Sequence, residues 1–558
     1  MGGFVGRTMG AEINSWPSRP CPSRATADSL GIVNAGDRGN PGRVRLAELV
    51  AALSLGIDLG FGQPMEHVLR QCMIALRLAE CAGIGEGERS VVYFTALLVN
   101  VGCHSDAHEQ AKWFGDDIAM KSGKYDHELG SLSGVLAMLR MVGSGNPPLH
   151  RFRVGVEFAV SGHRDLNGMI EQHAALARRL AEELGLSLEV QLAVGAAYEQ
   201  WDGKGWPGDL QGDEIPVASR LAQIGEFVEV AHRIGGTGAA IALAEKRAGS
   251  QFDPTLAATL CANAKTILDG LDAGPTWDAV IGAEPALGVV LLEAEFDRAL
   301  LAIADFVNLK SPYTLGHARA VSELAAEAGA KLGLGEEAVE LLRRAGLAND
   351  LGRLGVSNAI WDKRGVLGAG EWERVRMHPY LTERMLHQST ALAPLGAIAV
   401  QHRERLDGSG YPRGLSGGAI SMPARILGAA DAYQSMCEPR PHREALLPEV
   451  AAKELRSEVK DSRMDGDVVE ALLGAAGHRV TGRREGPAGL TAREVDVLRL
   501  VSRGLSSKEV ASRLVISPKT ARNHIEHIYM KIGTTNRTGA SLFAMQHGLI
   551  QGADLTTP

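Results

Sequence analysis

A pattern of histidines and carboxylates occurs twice in this 558-residue chain and indicates metal chemistry. The segment YEQWDGKGWPGDLQGDEI, with Asp202, is matched 205 positions later by HRERLDGSGYPRGLSGGAI, with Asp407. Imidazole and carboxylate groups are suitable ligands for divalent iron and manganese. The repeat therefore predicts two copies of one module descended from a metal site. Offsets of 205 and 250 also relate His173 to His378, His67 to His317, and Asn100 to Asp350.

Amphipathic helices must position these residues. In HARAVSELAAEAGAKLGLGEEAVELLRRAGLA the apolar residues recur at three- and four-residue spacing, and alternating strand patterns are scarce. We therefore expect an all-α protein. Its length favours three or four domains, each with its own apolar core. We predict a disordered tail at 1–42, modules at 43–285 and 290–476, a linker at 477–489 and a small C-terminal domain at 490–552.

The charge of the chain is unevenly distributed. The net charge is −8, yet residues 491–550 carry nine Lys or Arg and four Asp or Glu, a balance of +5 that leaves −13 for the rest. A basic end on an acidic body favours a polyanionic partner, and a solvated basic helix face is the alternative.

Six scattered cysteines without metal-ligand spacing are expected to be buried or free thiols of a reducing compartment. No apolar stretch is long enough to span a bilayer, and the first forty residues lack the apolar region of a secretory signal. We therefore expect a cytoplasmic protein without a membrane partner.

The second copy resembles the HD-GYP domain, a helical metal-dependent phosphohydrolase family that opens cyclic di-GMP. The resemblance covers residues 290–476 and rests on ANDLGR, RMHPYLTE, QHRERLDGSGYP, ADAY and RPHRE. Metals in that family activate water and offset negative charge on the phosphodiester. The resemblance implies these metal ligands: His317, Asp350, His378, His402 and Asp431.

Two positions depart from the family pattern. Asn349 stands where the first His of the His-Asp pair belongs, and Arg403 replaces the second His of the His-His-Glu run. Arginine stays protonated, and a unit charge ~4 Å from a divalent ion costs roughly 8 kcal/mol at an effective dielectric near 20. We therefore expect at most one divalent transition metal, Fe or Mn, and poor hydrolysis. If the domain is active, Asp350 and Arg353 are the catalytic residues, and Arg353 is also suited to bind a phosphate.

The first copy departs further from the family pattern, because Val99, Ala197 and Tyr198 replace ligands. The other four positions hold His67, Asn100, His173 and Glu226. It is expected to serve as a dimerisation or ligand-sensing partner. An inserted stretch carries polar residues that suit either a substitute metal site or a polar loop. These are His104, Asp106, His108, Asp116 and Asp117.

Four short helices with N-cap residues follow the linker. Thr491, Ser506 or Ser507, Ser517 and Asn536 are placed to begin them. The stretch from LTAREVDVLRLVSRG to RTGASLFAMQHGL, with SPKTARNHIEHIYMKI between, resembles the LuxR-type helix-turn-helix domain. That resemblance implies binding to double-stranded DNA.

The third of these helices is expected to enter the major groove. Ala521, Ile525, Ile528 and Ile532 form its inner stripe, so that Arg522, Asn523 and Glu526 face the bases. Phosphate contacts are predicted for Lys519, Thr520, Lys531 and Arg537.

Two hypotheses follow from the sequence. In the first, a homodimeric DNA-binding transcriptional regulator uses its HD-GYP-like region to sense cyclic di-GMP or another nucleotide, or to dimerise. In the second, the chain is a cyclic di-GMP phosphodiesterase with an attached DNA-binding domain. Asn349 and Arg403 favour the first, and the five retained ligands favour the second.

Overall fold

A computed structural model describes residues 44–125, 139–144, 147–158, 163–271, 276–285, 288–479, 487–514, 516–547 and 549–550. The predicted tail at 1–42 and part of the predicted linker lie outside the described residues. The fold is helical, as predicted. One short antiparallel pair joins β1 (Val44–Arg45) to β2 (Val290–Leu291), with Val44 opposite Leu291.

The first module contains eleven described α-helices. They are α1 (Leu46–Gly60), α2 (His67–Cys81), α3 (Glu86–Leu98), α4 (Ala107–Phe114), α5 (Asp117–Ser122), α6 (Pro148–Glu157), α7 (His163–Glu183), α8 (Leu188–Gly195), α9 (Val217–Arg247), α10 (Pro254–Leu268) and α11 (Thr276–Gly282). A 3₁₀ helix at Val101–His104 follows α3, and another at Gly123–Tyr125 follows α5.

The second module repeats this plan. Its described helices are α12 (Glu293–Asn308), α13 (His317–Lys331), α14 (Glu336–Ala348), α15 (Asn358–Trp361), α16 (Ala369–Leu386), α17 (Ala393–Ala399), α18 (Met422–Cys437), α19 (Pro448–Lys460) and α20 (Gly466–Ala475). Both α13 and α14 begin 250 residues after α2 and α3, and a 3₁₀ helix at Leu351–Gly355 corresponds to Val101–His104. The predicted duplication is therefore present in the fold.

The two modules share a hydrophobic core, contrary to the expectation that each domain has a separate one. Leu49, Leu53 and Leu69 of the first module lie in the same buried cluster as Leu300 and Leu354 of the second. Polar contacts also join the two modules. The buried Asp117 of the first module accepts hydrogen bonds from the Ser357 hydroxyl (2.7 Å) and the backbone N–H of Asn358 (2.8 Å) in the second module. It also forms an ion pair with Lys310. Burial of an unpaired carboxylate would be costly, so these contacts fix the insertion against the second module.

The C-terminal domain has its own small core around Leu498, Val510 and Ile528. Its helices are α21 (Ala492–Ser502), α22 (Ser507–Leu514), α23 (Pro518–Lys531) and α24 (Arg537–Gln546). The predicted N-caps are observed: the side chains of Thr491, Ser517 and Asn536 accept backbone hydrogen bonds from Glu494, Thr520 and Gly539. Each cap satisfies a donor that the helix leaves unpaired.

Among the described helices, none combines the length and apolar character needed to cross a membrane. The cysteine prediction holds for Cys72, Cys103, Cys261 and Cys437, which are free thiols. It is wrong for Cys81, which is disulfide-bonded.

Candidate metal and ligand site

Five separate segments of the second module bring its predicted ligands together. His317 begins α13, Asp350 follows α14, His378 lies within α16, His402 follows α17 and Asp431 lies within α18. All five side chains are buried. Placing ligands on separate packed helices fixes their separation more rigidly than a loop would.

His378 and His402 face each other through unprotonated nitrogens. The Nδ1–H of His378 donates to the Val375 carbonyl, and that of His402 donates to the Ala399 carbonyl, both at 2.6 Å. The two Nε2 atoms therefore carry lone pairs, and they lie 3.4 Å apart. Burial and the charge of its neighbours lower the pKa of His378 to about 3, and burial with the Arg403 charge also lowers the pKa of His402.

Asp350 completes this cluster. Its Oδ1 lies 3.8 Å from the His378 Nε2 and has no hydrogen-bond partner within the described part of the chain. Burial opposes ionisation, but Arg353 and the neighbouring histidines hold the Asp350 pKa below its usual range. One carboxylate oxygen and two bare imidazole nitrogens converge within 4.8 Å of one another, a donor set that fits a divalent cation.

Arg353 orients Asp350 from the opposite side. Its Nη1 donates to the Asp350 Oδ2 at 3.2 Å, and its guanidinium lies 3.9 Å from the centre of the Trp361 ring. Stacking on an aromatic face restricts a guanidinium without consuming its hydrogen-bond donors.

Asp431 and His317 have other partners. Arg403 pairs with both carboxylate oxygens of Asp431, Nη1 to Oδ2 at 3.0 Å and Nη2 to Oδ1 at 3.2 Å. The His317 Nε2 lies 3.2 Å from the Asp431 Oδ1, and its Nδ1 lies 2.8 Å from Glu438. Burial lowers the His317 pKa, but contacts with both carboxylates outweigh that effect and the pKa is raised. These two residues therefore form an ion network with Arg403.

The Asn349 side chain is fully buried beside this network. Neither its amide nitrogen nor its amide oxygen has a hydrogen-bond partner among the residues that the structure describes. A buried amide without partners is costly, so this group is available to a bound ligand or water.

Several arginines surround the carboxylates of the site. Arg440 donates to the Tyr313 carbonyl at 3.0 Å and to Glu438 at 3.0 Å. Burial, together with the charge of Arg353, lowers the Arg440 pKa to about 10. Burial and the nearby Arg403 also lower the pKa of Arg405. Burial is the main cause of both shifts, and the neighbouring guanidinium charges add to it. A phosphate group is the kind of anion that such arginines bind.

The DGSGYP loop is held by Glu404, which accepts backbone hydrogen bonds from Arg413 (2.7 Å) and Leu415 (2.8 Å). Gly408 has a positive φ of 85°, and a Cβ at Gly410 would lie 2.4 Å from the Glu404 Cα. The motif is therefore required by the turn itself.

In the first module an ammonium group lies among the corresponding residues. The Lys124 Nζ donates to the Asn100 Oδ1 at 2.8 Å and pairs with the buried Glu226 carboxylate. Asn100 donates to Glu226 at 2.8 Å, and the Tyr125 hydroxyl donates to it at 3.0 Å. Burial raises the Glu226 pKa, but Lys124 and these hydrogen bonds outweigh it and lower the pKa. Lys124 thus supplies the positive charge that Glu226 needs.

The inserted residues proposed as a substitute metal site are dispersed. Asp116 caps α5, Asp117 joins the modules, His108 pairs with Asp362 at 2.8 Å, and Asp106 pairs with His173. Within the described ranges, three potential ligand atoms come within 4.8 Å only at Asp350, His378 and His402. The structure therefore does not gather these residues as metal ligands, and it buries His104, Asp106 and Asp117, so they do not form an exposed polar loop either.

Helix α23 exposes the residues predicted to read bases. Arg522, Asn523 and Glu526 are exposed, whereas Ala521 and Ile528 are buried. Lys519 and Thr520 are exposed at its first turn. Lys531 pairs with Glu494 at 2.7 Å, and Arg537 donates to the Gly504 and Leu505 carbonyls. The phosphate contacts of Lys531 and Arg537 therefore remain a prediction.

Comparison with known proteins agrees with this architecture. The HD domain family matches residues 163–256 and 302–468, and the luxR family of bacterial regulatory proteins matches 488–544. The 3'3'-cGAMP-specific phosphodiesterase 3 of Vibrio cholerae is 31% identical over 432 residues, which cover 76% of this chain and 94% of that protein. The chain belongs to the HD-GYP family of HD-domain proteins.

Two further similarities concern the HD-GYP region. A crystal structure of a V. cholerae cyclic GMP-AMP-specific phosphodiesterase, V-cGAP3, superimposes with a TM-score of 0.55 and 27% identity, covering 78% of this chain and 98% of that one. A cyclic di-GMP phosphodiesterase of Thermotoga maritima is 32% identical over 185 residues, 32% of this chain and 50% of that protein. The luxR-family domain lies C-terminal to this HD-GYP region and is a DNA-binding domain.

Some functional contacts of the HD-GYP region were not predicted. Glu438 binds His317, Arg440 borders the site, and Lys124 occupies the centre of the first module. Arg440 lies in the RPHRE stretch, which is one of the segments that carry the family resemblance. Its position near the site could therefore have been predicted from the sequence. Lys124 had no such signal, because its partners Asn100 and Glu226 are distant along the chain.

Proposed function

We propose that this chain is a DNA-binding transcriptional regulator whose HD-GYP region binds a single divalent metal and a cyclic dinucleotide, and hydrolyses that ligand poorly. The Arg403–Asp431 ion pair carries this proposal. A guanidinium that engages both oxygens of Asp431 competes directly with a metal for that carboxylate, and its charge repels a cation at the same place.

Asp350, His378 and His402 would hold the remaining metal. Their donor atoms converge, are buried and lack protons, so little rearrangement is needed to bind a cation. When bound, a divalent ion supplies an acidified water and offsets phosphodiester charge. Arg353 and Arg440 would bind a phosphate of the ligand, and the free amide of Asn349 would donate to it or accept from it.

Weak hydrolysis is expected because phosphodiester cleavage in two-metal sites depends on ions that stabilise both the attacking and the leaving oxygen. Here His317 and Asp431 are engaged with Glu438 and Arg403, so the charge that a second ion would supply is fixed in an arginine. An arginine stabilises phosphate but does not activate water, and binding is therefore favoured over turnover.

Binding of the nucleotide is expected to change the affinity of the DNA-binding domain for DNA. The exposed Arg522, Asn523 and Glu526 are suited to base edges, and homodimers would read paired half-sites. Calorimetric titration of the manganese-loaded full chain with 3'3'-cGAMP and cyclic di-GMP tests ligand binding, and anisotropy with DNA selected from a random pool tests its effect. Binding of either nucleotide together with a changed DNA affinity supports the proposal. Absence of binding by both nucleotides would overturn the sensor.

Phosphodiesterase activity is the second candidate function. It is favoured by the intact cluster of Asp350, His378 and His402. It is also favoured by the similarity to the relative named 3'3'-cGAMP-specific phosphodiesterase 3, because the matched region covers 94% of that protein. Product formation from either nucleotide above that of Asp350→Ala would establish it in place of a purely sensory role.

A further inference from the structure

The first module carries a cysteine at the position that Arg353 occupies in the second. The offset of 250 that relates Asn100 to Asp350 places Cys103 on Arg353, and both residues lie in equivalent 3₁₀ helices, Val101–His104 and Leu351–Gly355. The first module therefore has a thiol at the position where the second module has a guanidinium.

Two polar side chains adjoin this thiol, and a third supports one of them. The Cys103 Sγ lies 2.8 Å from the Tyr198 hydroxyl, and the His173 imidazole is close enough to interact with the thiol. The His173 Nε2 pairs with the Asp106 carboxylate, and His173 and Asp106 are both buried. Cysteine, histidine and aspartate thus form a chain of contacts in which the carboxylate anchors the imidazole beside the sulfur.

Electrostatics favour the thiolate at this position. Burial opposes ionisation of Cys103, but the His173 charge and hydrogen bond, Lys124 and the Tyr198 hydroxyl outweigh it and lower the thiol pKa. Burial in turn opposes protonation of His173, yet Cys103 and Asp106 raise its pKa to about 10. The other free thiols of the described chain behave in the opposite way, because burial raises the pKa of Cys72, Cys261 and Cys437.

We propose that Cys103 is a reactive thiolate and a modification site for hydrogen peroxide, with His173 as its proton donor and Asp106 as the group that positions His173. The sulfur attacks one peroxide oxygen, an S–O bond forms and the O–O bond breaks. The departing hydroxide takes the proton of the His173 imidazolium and leaves as water. Sulfur is oxidised to a sulfenic acid while the peroxide is reduced.

The surroundings limit which reagents reach this sulfur. Cys103 is 9% exposed and Tyr198 is half-buried, so the site admits a small uncharged oxidant more readily than a bulky thiol. A metal is not the favoured ligand, because Cys103, His173 and Asp106 are not among the described groups whose ligand atoms lie within 4.8 Å of one another. The proposal does not depend on metal or nucleotide binding by the second module.

Cys103 also lies close to the junction between the two modules. Helix α7, which carries His173, packs against the Val101–His104 helix and against α12 of the second module. Oxidation removes the thiolate charge beside His173 and takes the proton of the imidazolium, so the contacts of α7 are the first that oxidation would alter.

The test treats the reduced full chain with limiting hydrogen peroxide, traps sulfenic acid with dimedone and quantifies each cysteine by peptide mass spectrometry. Cys103 is expected to be trapped at least about 10-fold faster than Cys437, since reactivity follows thiolate character. The variant His173→Gln is expected to lower the Cys103 rate to within about 2-fold of Cys437, and Asp106→Asn to lower it partly.

Cys437 serves as the internal control because it is also a free and partly buried thiol. Trapping of Cys103 no faster than Cys437 in the unaltered chain overturns the proposal, whether or not the variants fold. A folded His173→Gln protein with an unchanged Cys103 rate also overturns it. Tyr198→Phe, which removes only the hydroxyl, is the milder second variant.

Discussion

Arg403 holds both carboxylate oxygens of Asp431, with Nη1 3.0 Å from Oδ2 and Nη2 3.2 Å from Oδ1. Only the Nη2–Oδ1 contact is a hydrogen bond. The ion pair places a permanent positive charge beside a buried cluster of imidazoles and carboxylates. The His317 Nε2 lies 3.2 Å from the Asp431 Oδ1 and 3.9 Å from the Asp350 Oδ2. The Arg403–Asp431 pair and the cluster suited to a metal are therefore neighbouring parts of one buried polar site.

Restoring histidines at the two altered positions is expected to add a metal. In Asn349→His/Arg403→His, Asp431 loses its guanidinium partner and two imidazoles join the site, so we predict about two bound ions per chain instead of one. Metal content after dialysis against manganese measures this. Arg413→His, which alters an exposed pair with Glu383, is the matched control. An unchanged metal content in the double variant would contradict the account of Arg403.

Removing Lys124 is expected to destabilise the first module. Lys124→Met leaves the buried Glu226 carboxylate without its cation, which costs about 3 kcal/mol of unfolding free energy. Adding Glu226→Gln should recover part of that loss, because the uncompensated charge is then gone. Urea denaturation gives both values. Lys112→Met, in an exposed pair with Glu157, is the control and should cost less than about 1 kcal/mol.

Acid stability is expected to depend on Glu229. Burial opposes its ionisation, but His67, Arg70 and Arg233 outweigh it and lower the pKa from 4.5 to about 2. Between these values the unfolded chain binds the proton and the folded chain does not, so stability is present above pH 4.5 and is lost as the pH falls towards 2. The shift corresponds to about 3 kcal/mol.

Glu229→Gln should therefore flatten this part of the stability profile, measured by urea denaturation at several pH values. The control is Glu183→Gln, which alters an exposed pair with Arg179. A profile for Glu229→Gln as steep as that of the unaltered chain would contradict the prediction.

DNA recognition is expected to divide between base and phosphate contacts. Arg522→Ala should weaken binding to the selected site by about 10-fold and relax its sequence preference, because a bidentate base contact is lost. Lys519→Ala should weaken binding to all sequences and reduce the salt slope by about 1. Anisotropy over a range of salt concentrations measures both effects. The control is Arg376→Ala, which deletes an exposed charge within the HD-GYP region. It should change neither the DNA affinity nor the salt slope.

The sequence predicted those structural features that depend on residues close together in the chain. Thr491, Ser517 and Asn536 begin their helices because an N-cap needs only neighbouring backbone groups. Gly408 has the positive φ that the DGSGYP turn requires. The predicted helical repeat is likewise present, because the spacing of apolar residues along the chain indicates helices.

Contacts between distant segments were not predictable in this way. The Arg403 charge indicated a lost metal, but its ion pair with Asp431 depends on the packing of α18 against the turn that carries Arg403. Lys124 meets Asn100 and Glu226 only after the insertion has folded over the first module. Spacing along the chain carries no signal for such contacts, and the structure supplied them.

The central claim is tested most directly by one assay on the purified full chain loaded with manganese or ferrous iron. Hydrolysis of 3'3'-cGAMP and cyclic di-GMP and the bound metal are measured on the same sample, beside Asp350→Ala. We predict nucleotide binding, about one metal per chain and turnover close to that of Asp350→Ala. Turnover clearly above that variant would contradict the account and make the protein a phosphodiesterase that also binds DNA.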